Sequence, residues 1–134
     1  MRKLFFLIPL FLFAFNTSTY KIAVLKYNGG GDWYANPTSI TNLIDFANKN
    51  IKTNISTKYD IVEASNSDIF NYPFVYMTGH GNVVFSDADA QNLRDYLIGG
   101  GFLHIDDNYG MDKFVRSEMK KVFPNLDFIE LPCS

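Results

Sequence analysis

From Tyr20 onwards the chain alternates short apolar runs with segments of helical period. Tyr20 to Tyr27 (YKIAVLKY) is apolar and β-branched, and the Asn28 to Asp32 segment (NGGGD) breaks it. After Pro37 and Thr38, the residues Ile40, Leu43, Ile44 and Ala47 recur at the spacing of one helix face, and the polar Asn48 to Asn50 end it. Tyr59 to Ala64 and Phe74 to Thr78 read as strands two and three, the latter stopped by Gly79, His80 and Gly81. Ser86 with Asp89 three residues on is a capping box for a helix whose stripe is Leu93, Tyr96 and Leu97 and whose end is Gly99 to Gly101. Phe102 to Ile105 is a fourth strand, Asp112 to Val122 a third helix stopped by Pro124, and Leu126 to Leu131 a fifth strand.

Strands without polar alternation, separated by helices, imply parallel pairing with both faces covered. Right-handed crossovers then give a three-layer, doubly wound α/β sheet of about five strands in the flavodoxin-like order 2-1-3-4-5. The ligand crevice of such a sheet lies at the carboxyl ends of strands 1 and 3, and that rule selects candidates before any chemistry does.

The N-terminus stands apart from this pattern. Arg2 and Lys3, the apolar Leu4 to Phe15 and the small polar Asn16 to Thr19 have the order of a secretory leader. Residues 1–19 are therefore expected to be a signal peptide, or an uncleaved anchor, and residues 20–134 a single α/β domain that is exported to the periplasm or held at the membrane by that segment alone. Losing Arg2 and Lys3 takes the 12 basic side chains to 10 against 14 acidic ones, so a non-specific nucleic-acid surface is not expected. Cys133 is the only cysteine, which excludes an intrachain disulfide.

Three loops carry candidate chemistry. Gly29, Gly30, Gly31, Asp32 and Trp33 follow strand 1. The glycines allow close approach of a ligand, Trp33 and Tyr34 offer an aromatic platform, and Asp32 argues against a phosphate cradle. The alternative is a plain βα turn. Gly79, His80 and Gly81 follow strand 3, where an oriented imidazole suits acid/base work or metal ligation; the plainer alternative is a turn histidine bonded to nearby backbone. Asp106, as a catalytic candidate, and Asp107, as a ligand-binding one, follow strand 4, and alternation sends them to opposite faces, so a role shared by both is not expected; the plainer alternative is that Asp107 or Asn108 caps the turn towards the third helix. His104 is expected to be a core histidine. A divalent metal held by His80, Asp106 and Asp32 is chemically reasonable, but no metal-binding spacing signals it.

The segments GGGDWYANPTSITNL at Gly29 to Leu43, FVYMTGHGNVVFS at Phe74 to Ser86 and LRDYLIGGGFLHIDDNYGMDKF at Leu93 to Phe114 resemble a bacterial domain-of-unknown-function family grouped with class I glutamine amidotransferase-like, flavodoxin-like folds. The resemblance spans Tyr20 to Pro132. It implies that fold, a nucleophilic cysteine on the turn after the third strand where this chain has Thr78-Gly79-His80-Gly81, and further chain beyond Ser134. Glutamine hydrolysis by that route is therefore disfavoured. The stretch GGGFLHID at Gly99 to Asp106 is also similar to trehalose-utilisation-type domains linked to carbohydrates. Two functions follow as expectations. The first is a non-catalytic domain of the cell envelope that binds a small polar ligand or another envelope protein. The second is a hydrolase of a sugar or amide in which Asp106 orients His80 or helps to hold a metal. Self-association through an exposed last strand is expected as well.

Overall fold

The computed structural model describes residues 19–132. The expected leader, apart from Thr19, and Cys133 lie outside them. The strands are β1 (Ile22–Lys26), β2 (Asp60–Glu63), β3 (Phe74–His80) and β4 (Phe102–Tyr109); the helices are α1 (Ser39–Asn50), α2 (Asp87–Ile98) and α3 (Asp112–Val122), with a 3-10 turn at Ser67–Asn71. The sheet runs β2-β1-β3-β4 with every pair parallel. This is a mixed α/β fold consistent with double winding.

Alternation along the strands sorts two cores. Ala23, Leu25, Val75 and Met77 pack with Ala90, Leu93 and Tyr96 of α2 and Val115 and Val122 of α3. On the opposite face Ile22, Val24 and Tyr76 pack with Ile40 and Ile44 of α1. Burying an aliphatic side chain of this kind stabilises by about 1.5–3 kcal/mol, so the α2/α3 side carries the larger share. The stripe of α1 is narrower than its sequence suggests, because Leu43 stays 45% exposed while Ile40, Ile44 and Ala47 are buried.

Two expectations need correcting. Among the described residues the sheet has four strands, and Leu126 to Leu131 forms no ladder. Polar ties keep that segment on α3 instead: Lys120 Nζ donates to the Leu126 carbonyl at 2.8 Å and pairs with Asp127, while Arg116 sits over the Phe128 ring. Ile129 and Leu131 are consequently exposed. His104, expected in the core, is exposed too. It lies on the α1 side of β4, where no described helix covers the sheet, and stacks on Tyr76 and Phe74. Strands β3 and β4 also run further than expected. They carry Gly79, His80, Asp106 and Asp107 into the ladder, and at an irregularity between Gly79 and His80 the register skips Asn108.

Candidate functional site

The loops after β1 and β3 are locked together by backbone. Asn28 bridges Val84, whose N–H donates to the Asn28 carbonyl, and the Gly31 N–H donates to the Asn82 carbonyl at 3.0 Å. These contacts require glycine. A Cβ on Gly31 would lie 2.5 Å from the Asn82 oxygen, and one on Gly79, at φ +151°, would lie 2.1 Å from the Tyr27 hydroxyl. Gly29 is similarly closed off by the backbone of Val83 and Val84. Gly30 and Gly81 face open space. Among the glycines singled out from sequence, three thus serve backbone approach between the two loops.

The structure pairs His80 with Asp32. One Asp32 oxygen accepts the His80 backbone N–H and the other lies 2.9 Å from His80 Nδ1. That backbone hydrogen bond, and after it the imidazole, hold the Asp32 carboxyl below the usual carboxylate range. An ionised Asp32 can only accept, so Nδ1 donates to it. The imidazole is about half exposed. Beneath it Tyr27 donates to the Thr78 carbonyl at 3.1 Å, and burial, followed by the nearby Asp32 charge, pushes its phenol up to about 12.

Asp106 has a different partner. The Tyr76 hydroxyl donates to its carboxylate at 2.7 Å, and burial first, then this hydrogen bond, raises the Tyr76 pKa. Tyr76 is therefore a protonated donor at neutral pH. Beside it the Thr78 hydroxyl is buried without a hydrogen-bond partner. Asp107 points to the other face and accepts the N–H groups of Met111 and Asp112 at 2.9 Å each, so it caps α3. Among the described residues no group of three or more histidine, cysteine, aspartate or glutamate side chains is placed to hold a metal ion.

Next to these pairs, on the α1 face, the β1–α1 loop and strands β1, β2 and β3 enclose a cleft of about 160 Å³. Trp33 and Tyr34 meet edge to face at 5.5 Å and 89°, forming one corner. Tyr59, Tyr76, Asn36 and Ser39 contribute further to its lining. Asn36 is held by a 2.6 Å hydrogen bond to Asn108 of β4. No lining residue is charged.

The family described as "Domain of unknown function (DUF4159)" matches residues 21–134. The chain belongs to it. No curated protein matches the chain. Within this DUF4159 domain, of the loop residues singled out by sequence for ligand binding, Trp33 and Tyr34 line the cleft, and Gly29, Gly30, Gly31, Asp32, Gly79, Gly81 and Asp107 do not. Tyr59, Tyr76, Asn36 and Ser39 escape sequence reasoning because they come from the residue before β2, from β3, from the β1–α1 loop and from the start of α1, and only the sheet order brings them together. An apolar groove of about 430 Å³, lined by Tyr20, Leu43, Ile51 and Phe74, lies at the amino ends of β1 and β3 and offers little polar chemistry.

Proposed function

We propose that this DUF4159 domain binds a small polar ligand without transforming it, as an exported envelope domain on an amidotransferase-like scaffold that lacks the cysteine nucleophile. One observation carries the reading. The cleft lies on the α1 face, where the loop that follows β1 folds over β1, β2 and β3, next to the carboxyl end of β1 that doubly wound sheets use for ligands. Its lining offers aromatic walls and the neutral polar groups of Asn36, Ser39 and Tyr76, with no charged side chain in it. The glycine-locked loops support the reading further, since a preformed wall loses little entropy on binding.

Trp33 is the only tryptophan of the chain, so its emission reports on the cleft without labelling. Titration with sugars, amino acids, dicarboxylates and inorganic phosphate is expected to give a saturable change with at least one of them. A flat response across the set overturns the reading.

The Asp32–His80 pair favours one alternative, a hydrolase in which Asp32, rather than Asp106, orients the half-exposed His80 as general base. That reading requires turnover of a chromogenic glycoside or amide that disappears in His80→Gln. Binding unaffected by His80→Gln, with no turnover in either protein, favours the first reading.

A further inference from the structure

We infer that the ligand of the cleft is a single carbohydrate ring. This rests on the binding reading above and names its chemistry. A pyranose presents a face of C–H groups and a rim of neutral hydroxyls. The cleft has the matching parts: the Trp33–Tyr34 corner and Tyr59 as apolar faces, and Asn36, Ser39 and the protonated Tyr76 hydroxyl as hydrogen-bonding groups.

Charged ligands fit less well, for separate reasons. A quaternary ammonium would gain from the aromatic faces. It would also meet the positive end of the α1 dipole at Ser39, with no carboxylate in the lining to compensate. An anion would gain from that dipole but finds no lysine or arginine in the wall, and aromatic faces repel it. Size narrows the choice again. A volume of about 160 Å³ is below the roughly 300–1,000 Å³ of pockets that take drug-sized molecules. That size matches a single ring better than a nucleotide.

The test uses the 134-residue chain and Trp33 emission, with D-glucose, D-galactose, D-mannose and N-acetyl-D-glucosamine as probes and inorganic phosphate, glycine betaine and L-glutamine as the charged or zwitterionic set. At least one sugar is expected to saturate the signal. Tyr34 is 67% exposed, so replacing it does not threaten the core. Tyr34→Ala is expected to weaken that sugar about tenfold, the equivalent of 1.4 kcal/mol, while Tyr34→Phe, which keeps the ring face, stays within about threefold. If only phosphate, betaine or glutamine saturates, the carbohydrate assignment is wrong and the binding reading stands. If none of the seven does, the carbohydrate assignment is wrong, and the binding reading falls with it when the amino acids and dicarboxylates of the wider set are flat too.

Discussion

Asp32 joins two loops that are distant in sequence, and it does so as an anion. Its carboxyl is held below the ordinary range chiefly by the His80 N–H, so the folded state favours the ionised form. Such a group contributes stability above the unfolded aspartate value of about 3.9 and loses it as pH falls through the lower folded value. Asp32→Asn is therefore expected to melt lower than the parent at pH 7 and to lose less on acidification from pH 5 to pH 3. Thermal denaturation followed by circular dichroism checks this, and equal pH slopes in the two proteins would assign the acid sensitivity elsewhere. Asp60, lowered mainly by its hydrogen bond with Lys21, accounts for part of the remaining slope. At this scale the sequence discloses residue types but not partners. The glycines and Asp32 announce a tight loop, and of the two residues that sequence offers as an alternative cap for the third helix, Asp107 and Asn108, the fold uses Asp107. That Asp32 meets His80, and Asp106 meets Tyr76, depends on which strands are neighbours, and no local pattern encodes that.

Helices are the most legible elements here, because their signals are local. Ser86 and Asp89 form the full capping box at the start of α2: the Ser86 side chain accepts the Asp89 N–H, and the Asp89 side chain accepts the Ser86 N–H. Ser86→Ala is expected to cost about 1 kcal/mol, read as a lower urea midpoint at unchanged slope. A changed slope would mean that the helix end frays before the molecule unfolds. Strand limits are less legible. The apolar spacing of Leu126, Phe128, Ile129 and Leu131 looks like a strand, yet Lys120 and Arg116 hold the segment against α3. Hydrophobic periodicity says which face can be buried, and says nothing about a competing polar tether. Conversely, β3 and β4 persist through glycine and aspartate, residues disfavoured in strands, because the Gly79 to Asp107 pairing continues the ladder.

For the molecule as a whole, alternation of strand and helix signals suffices to read a parallel α/β sheet, and right-handed crossovers put α1 on one side and α2 and α3 on the other. The cleft is legible only in outline. The crossover rule locates the end of the sheet where it lies, but its lining is a product of order β2-β1-β3-β4. The same order has a consequence in time. With every pair parallel, no tight hairpin can start the sheet, and each pairing must close a long stretch of chain. The β3–β4 closure, through α2, is the shortest, and the central β1–β3 closure is the longest. Loop entropy then orders assembly: β3–α2–β4 condenses first, and β1, with β2 and α1, adds to its edge. Stopped-flow refolding of Leu93→Ala, on α2, is accordingly expected to show a slowed folding limb. Ile44→Val, on α1, should chiefly quicken unfolding. The domain would thus complete its cleft last, since the walls that α1 and β1 supply arrive only at the final step.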